Sequence, residues 1–402
     1  MFLLELPDID NSAGRSITTL DLERFTNDGS PSGYTFKQSS SIPTTAWHGL
    51  PDYPLPIVQG ERSWHLGDAS LLAALGIHPS EECPVHPDCL SRTAVHMRWN
   101  GSPWRHIRVA PTSSPRVVIE APAARVVLKL HYPNKLGRFA RPLLGEQLRF
   151  GVEVSSHVCH LKLNYSEFLP ELFAAEYEVE GYGKFENENR FGFLLRQASI
   201  ATDEDLIWAV PCFSLLARRN VGLLRRPLVE DIARWFETSP AAFFSEYFIP
   251  TLCKSVAEIV NCAGVWPEIT AQNFFFALTM DKQLKIIWRD FQGFFVDHGL
   301  LALNGYSGPL FDFTYHAIHV DQTQWRSYLV DDVFHHHIVR PILRLFGSDR
   351  DRKLIENSLR RNMQSTGLFR LLPDVAVAME KRMPRTGERL SLVSSPKPTW
   401  RP

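Results

Sequence analysis

The sequence predicts an α+β protein with its sheet and its helices in separate lobes, and three observations lead there. β-branched runs of strand length concentrate between about residue 60 and about residue 200. Apolar residues at three and four spacing dominate after that point. The stretch before it is rich in Ser, Thr, Pro and Gly, with few periodic apolar runs. The order is therefore loop, then sheet, then helices, which is the pattern of segregated layers.

Individual segments bear out that order. Arg116-Val-Val-Ile-Glu120 and Arg125-Val-Val-Leu-Lys-Leu130 are predicted strands, separated by the turn-like Ala121-Pro-Ala-Ala124. Asn187-Glu-Asn-Arg190 marks a break before another apolar stretch. The spacing predicts helices over 228–236, 243–260, 330–346 and 350–363, and Pro341 should kink or split the third of these. Leu284-Lys-Ile-Ile-Trp288 reads as a strand, and the proline-rich C-terminal residues as extended chain. With 402 residues and no internal repeat, the chain has length for two or three domains. The division expected is an N-terminal region 1–77, a β-rich region 78–205 and a helix-rich region 206–402.

Composition narrows the function classes. A formal net charge of −1 gives no reason to propose nucleic acid or an anionic membrane as partner. No run approaches the roughly 18 apolar residues that cross a bilayer. The start, Met1-Phe-Leu-Leu-Glu-Leu-Pro-Asp8, lacks a basic segment followed by a long apolar core, so the cytoplasm is the expected compartment. Six cysteines in a chain of this length do not suggest a disulfide scaffold. Cys83, His86 and Cys89, and likewise His157, Cys159 and His160, offer ligand chemistry without the paired Cys-x-x-Cys spacing of a zinc site. His335-His-His337 falls in a helical run, where consecutive side chains diverge. The sequence has no Ser-His-Asp ordering, P-loop or dinucleotide fingerprint.

Chemistry concentrates in Glu268-Ile-Thr-Ala-Gln272-Asn273 and, further on, Arg289-Asp290. Two carboxylates, two amides and a guanidinium frame the apolar Phe274-Phe-Phe-Ala-Leu278, and polar groups in such a frame need partners. If the segment is helical, Glu268 and Gln272 share one face. Asp290 closes a strand-like run, so amides and carboxylates together read as a site for ATP and Mg²⁺, a hard cation with oxygen ligands. The competing reading is a helix N-terminus with Glu268 favouring the dipole and the amides solvated. An Arg289–Asp290 surface pair would contribute only about 0–1 kcal/mol.

Upstream, Pro84-Val-His86-Pro87 is a proline-flanked histidine, with a simple turn histidine as the alternative. Ser114 and Arg116, two apart, would share one side of an extended strand. Lys129 sits inside a β-rich apolar run and needs an exposed face or a partner, and Arg141 follows on the next segment. Hydroxyl, arginines and lysine together make a cationic floor suited to a triphosphate. Arg138 and Arg149 nearby make a solvated basic face the alternative for Arg141.

In this order and spacing the sites resemble the IucA/IucC-type, NRPS-independent siderophore synthetases. The matching residues are His86-Pro87, Ser114 and Arg116, Lys129, Arg141, Glu268 with Gln272 and Asn273, and Arg289-Asp290. A looser match covers Ala378-Met-Glu-Lys-Arg-Met383, which includes Lys381. The resemblance implies a hand-shaped α+β fold with a shortened thumb, antiparallel-sheet fingers and a helix-rich palm. It implies a ligase that adenylates a citrate-like or other polycarboxylic acid with ATP and Mg²⁺, then condenses it with an amine or hydroxyl. It implies His86, Ser114, Arg116, Lys129, Arg141, Gln272 and Asn273 around the nucleotide and acyl group, with Arg116, Lys129 and Arg141 catalytic. Glu268, also at the nucleotide, and Asp290 would hold Mg²⁺. Small-molecule substrates and a homodimer fit the same resemblance.

The sequence also departs from that pattern. The family's Thr-Ser before the last arginine is Gly137-Arg138, its histidine between Glu and Gln is Thr270, and only Ile77-His78-Pro79 stands where a longer His-Pro segment is usual. These departures raise a second expectation, a catalytically impaired homologue that binds nucleotide or carboxylate and serves a partner protein. A third is acyl transfer in a pathway unrelated to siderophores.

Overall fold

A computed structural model describes residues 4–10, 16–26, 53–90, 103–179, 190–199, 206–217, 224–313 and 328–368, apart from positions 113, 115, 122, 137, 138, 142 and 144. Glu5–Leu6 (β1) pairs with Ile17–Thr18 (β2) and leads into helix Thr19–Phe25 (α1). Then come strands Tyr53–Gln59 (β3) and Glu61–Gly67 (β4), helix Ser70–Ala74 (α2), strand Glu82–Pro84 (β5) and helix Pro87–Leu90 (α3). Arg105–Pro111 (β6), Val117–Glu120 (β7) and Val126–Leu130 (β8) form a meander, followed by the hairpin of Tyr132–Leu136 (β9) and Phe139–Arg141 (β10). Helix Gly145–Val158 (α4) precedes Ser166–Phe168 (β11), Glu171–Glu178 (β12), Arg190–Gln197 (β13) and Leu206–Pro211 (β14).

The helical part opens with Cys212–Leu215 (α5), Leu228–Trp235 (α6), Pro240–Phe243 (α7) and, after a π-helical stretch at Phe244–Phe248, Ile249–Ala263 (α8). Val265–Trp266 (β15), Phe274–Thr279 (β16), Leu284–Trp288 (β17) and Phe295–Val296 (β18) interrupt it before His298–Leu303 (α9). A second π-helical stretch, Tyr328–Val339, runs into helices Arg340–Arg344 and Asp349–Ser365.

These elements stack in layers. An eight-stranded antiparallel sheet has the order β4-β12-β13-β8-β7-β6-β3-β5, so it draws on residues 53–67 as well as on the later strands. A four-stranded sheet, β11-β17-β16-β14, is antiparallel except for the β11–β17 pair. Val127, Ile119 and Ala110 from the larger sheet pack on Phe275, Ala277 and Ile287 from the smaller. The opposite face of the smaller sheet carries Phe274, Phe276 and Trp288 into the helical layer, where each is fully buried. Burying each such side chain stabilises the fold by roughly 1.5–3 kcal/mol, an upper estimate. β16 is covered on both faces, which is why its sequence is an unbroken apolar run rather than an alternation.

The predicted α+β mixture is observed, with two local corrections. Residues 268–273 form a turn joining β15 to β16 and make no helix, because the Phe274 run claims the chain for the sheet. Ser114 and Arg116 sit in the bend and turn between β6 and β7, where Thr112 Oγ1 accepts from the Ser114 N–H at 3.1 Å. Just before Pro341 the winding changes, from π over Tyr328–Val339 to α over Arg340–Arg344. The wider π winding before it leaves more room for a proline ring beside the carbonyl of the preceding turn. The same device precedes Pro250, at the start of α8. Gly264 ends α8 at φ +65°, and a Cβ there would lie 2.7 Å from the Leu301 N–H nitrogen, so the left-handed cap needs glycine.

Candidate active site

β8 supplies the first side chain. Alternation along this fully buried strand sends Val126, Leu128 and Leu130 into the outer core and turns Val127 and Lys129 to the inner face. Lys129 is 4% exposed, and its Nζ donates to an Asp290 carboxylate oxygen and, at 2.7 Å, to Gln292 Oε1. A lysine within an apolar strand thus has its partners across the gap between the two sheets.

Asp290 stands just beyond β17 at φ +69°, a left-handed conformation that Asp tolerates better than most residues. It caps the 3₁₀ turn Phe291–Gly293, whose Gly293 N–H donates to the Asp290 carbonyl at 3.1 Å. Burial opposes its ionisation, but the charges of Lys129 and Arg196 outweigh that and hold the carboxyl well below the usual range. Burial pulls Lys129 the other way, down to about 8, with Asp290 restoring part of the shift and Arg116 lowering it further.

Glu171 on β12 and Arg196 on β13 lie opposite one another in register, and both are 3% exposed. Burial pushes Glu171 up to about 7, helped by Asp290 and opposed by Lys129, Arg196 and the Phe291 backbone N–H. Neither of its carboxylate oxygens makes a well-formed hydrogen bond among the described residues. Gly151 on α4 makes room for it, since a Cβ there would lie 2.3 Å from Glu171 Oε2 and 2.7 Å from Gln292 Cγ.

The turn over 268–273 supplies the second half. The Thr270 N–H donates to the Glu268 carbonyl at 2.7 Å and the Asn273 N–H to the Thr270 carbonyl at 2.9 Å. Asn273 Nδ2 donates to both the carbonyl and Oε2 of Glu268, each at 3.1 Å. That leaves Asn273 Oδ1 buried and without a donor among the described residues. Glu268 lies against the turn after Asp290, because a Cβ on Gly293 would sit 2.5 Å from its Oε2. Gln272 presents its side chain to solvent.

Arg289 does not pair with Asp290. Its guanidinium lies 4.4 Å over the Phe275 ring, donates to the Gln272 carbonyl at 2.8 Å and bridges both carboxylate oxygens of Glu23 at 3.0 and 3.2 Å. The surface ion pair expected from sequence is therefore replaced by a buried pair, Arg289 with Glu23, and a partly buried one, Asp290 with Lys129.

Lys129, Asp290, Glu268 and Asn273 are thus brought together, with Arg116 close enough for its charge to reach Lys129, Asp290 and His131. His131, just after β8, accepts the Leu143 N–H on Nδ1 at 3.3 Å, and burial lowers it to about 4, which keeps it neutral. His86 is buried with its ring edge on Tyr132, 4.7 Å between centroids, and joins this side of the site through His131. Arg141 faces Tyr132 in the β9–β10 hairpin, but its side chain, Gly137-Arg138 and the 378–383 segment lie outside the described residues. Glu171, Arg196, Gln292 and Glu23 were not singled out in the sequence. Gln292, two residues after Asp290, carried the only positional hint.

Glu268, Asp290 and Asn273 Oδ1, the last without a donor among the described residues, offer oxygen donors, the kind a hard cation takes. Among the described residues no group of three His, Cys, Asp or Glu side chains is arranged to hold a metal ion. This applies equally to Cys83 with Cys89 and to the His157 segment.

The fold carrying this arrangement is that of the siderophore synthetases whose motifs the sequence resembles. The petrobactin biosynthesis protein AsbB of Bacillus anthracis superposes with a TM-score of 0.62 at 13% identity, covering 91% of this chain and 70% of that one. ATP-bound aerobactin synthetase IucA of Klebsiella pneumoniae gives 0.61 at 14% identity, covering 86% and 66%. Aerobactin synthetase IucC of the same organism gives 0.60 at 12%, covering 85% and 68%. The chain therefore spans about two thirds of the length of the two aerobactin synthetases. No protein-family profile matches the sequence, and no curated protein sequence does either. No helix among the described residues is long and apolar enough to cross a membrane.

Proposed function

We propose that this protein is an ATP- and Mg²⁺-dependent ligase that adenylates a carboxylic acid, citrate-like or another polycarboxylate, and joins it to an amine or hydroxyl. The observation that carries the reading is the convergence of Lys129, Asp290, Glu268 and Asn273 at one junction between two sheets, with an oxygen acceptor left without a donor among the described residues. The shared fold with a synthetase solved with ATP bound supports the nucleotide half.

In the first step a substrate carboxylate oxygen attacks the α-phosphorus of ATP, and the α–β P–O bond breaks to release pyrophosphate. In the second, an amine or hydroxyl attacks the acyl carbon, AMP leaves, and the nucleophile gives up its proton. Neither step needs a protein nucleophile. The chain's contribution is positioning and charge. Lys129 and Arg116 bring positive charge to the phosphates, with Arg141 and Ser114 on neighbouring segments. Glu268, Asp290 and Asn273 Oδ1 would hold Mg²⁺, which when bound neutralises phosphate charge. Gln272, which is exposed, would meet the nucleoside, and His86 would back the Arg116 side. The reading implies small-molecule substrates, a cytoplasmic setting and a homodimer.

Thr270 favours a second reading. Its hydroxyl is buried without a hydrogen bond among the described residues and offers no base where the resembled family has histidine. On that reading the protein binds nucleotide but does not turn over. Pyrophosphate release with ATP, Mg²⁺ and a panel of citrate, succinate, α-ketoglutarate and amino acids, with hydroxylamine as trap, separates the two. Carboxylate-dependent pyrophosphate with a hydroxamate product establishes the ligase. ATP binding by calorimetry with no product selects the binding homologue, and no binding at all rejects both.

A further inference from the structure

α1 is far too short to hold itself together in water, since isolated helices below about 12–15 residues are marginal. Its order comes from docking. Thr18 and Asp21 form a reciprocal capping box, Thr19 Oγ1 donates to the Ala209 carbonyl at 2.8 Å, and Ser214 Oγ donates to the Leu22 carbonyl at 3.1 Å. From this seat Glu23 reaches Arg289, 266 positions away in sequence, with both side chains buried.

Arg289 then touches both halves of the site. Its guanidinium holds the Gln272 carbonyl and its N–H holds the Asn273 carbonyl at 2.8 Å, while the next residue is Asp290 in its left-handed conformation. A second route runs through α5, where Ser214 holds α1 and the Phe213 N–H donates to the Ala271 carbonyl at 3.1 Å. Both routes end on the turn that carries Glu268 and Asn273.

We propose that Glu23 is a positioning residue for the nucleotide site, and that docking of the N-terminal helix through Glu23 and Arg289 sets the backbone that presents Asp290 and Asn273. This rests on the nucleotide reading and assigns the N-terminal segment to the site itself. Because coupling between two equilibria is reciprocal, a ligand that needs Asp290 and Asn273 in place must also tighten the docking of α1.

The test uses the full chain with ATP and Mg²⁺ as probe. Calorimetry should show Glu23→Gln binding MgATP about tenfold more weakly than wild type. Hydrogen exchange should show MgATP slowing the amides of 19–25 in wild type but not in Glu23→Gln, a response that a merely structural contact would not give. Glu23→Asp, which keeps the charge on a shorter arm, should fall between the two, and it carries the test if Glu23→Gln does not fold. Equal MgATP affinity in wild type and variant, or α1 exchange indifferent to MgATP in wild type, overturns the proposal and leaves the nucleotide reading standing. Wild type that binds no MgATP overturns both.

Discussion

Replacing Glu171 by glutamine tests the electrostatics of the site most directly. The carboxyl is 3% exposed, its oxygens lack well-formed hydrogen bonds among the described residues, and its ordinary value of 4.5 is pushed up to about 7. A rise of that size makes the ionised form roughly 3 kcal/mol costlier in the folded chain than in the unfolded one. The sign follows from proton counting. Below about pH 4.5 both states hold the proton and nothing is lost. Between there and about 7 the folded chain keeps a proton that the unfolded chain has released, so stability falls as pH rises. Glutamine has no such proton. Urea unfolding of wild type and Glu171→Gln, followed by circular dichroism from pH 5 to 8, should show the variant gaining on wild type by about 2–3 kcal/mol across that range. Groups that do not interact with Glu171, His131 among them, titrate in both proteins and cancel in the difference, whereas Lys129, which feels the Glu171 charge, adds a smaller change towards pH 8. A difference that stays flat from pH 5 to 8 would mean that Glu171 is ionised throughout, and the balance of burial against charge assigned to the cluster would be wrong.

Three further outcomes are expected. Lys129→Met removes the direct cation from Asp290 and should cost about 3 kcal/mol, the lower end for a broken buried pair because the Asp290 side chain is 27% exposed and Arg196 stays close. Adding Asp290→Asn should recover part of that loss, so strictly additive urea midpoints would contradict the pairing. Gly151→Ala places a Cβ 2.3 Å from Glu171 Oε2, and thermal melts should show a loss of about 1–2 kcal/mol although alanine is the better helix former; a stabilised variant would refute the close packing. Asp290→Ala should keep the far-ultraviolet spectrum but lose the Mg²⁺-dependent part of ATP binding in calorimetry, and unchanged Mg²⁺ dependence would remove Asp290 from the metal set.

The parts of this structure that were legible in sequence are those where side-chain chemistry has one sensible outcome. Val-Val-Leu-Lys-Leu reads as a strand whose lysine needs an exposed face or a partner, and Lys129 has partners in Asp290 and Gln292. β17 begins and ends where its apolar run does. The 268–273 segment misled because Glu, Gln and Asn at helical spacing say nothing about the short link between β15 and β16, and the β pairing of Phe274 decided the matter. Glu171 and Arg196 were hidden because Glu-Leu-Phe and Leu-Leu-Arg-Gln look like ordinary strand edges. Only the pairing of β12 with β13, and the cover of α4, buries their charges. Glu23 was out of reach for a simpler reason, since nothing local connects it to a residue 266 positions away.

The step from β11 to β12 carries a mechanical consequence. Leu169 and Pro170 alone separate a strand of the smaller sheet from a strand of the larger one, and each is pinned, the Leu169 N–H to the Trp288 carbonyl at 2.9 Å and the Pro170 carbonyl to the Gln197 N–H at 2.8 Å. The seam runs beside the residues that bear Asp290, Glu171 and Arg196. Relative movement of the two sheets is most restricted at this stitch, so the charged cluster sits where one sheet is tied most directly to the other.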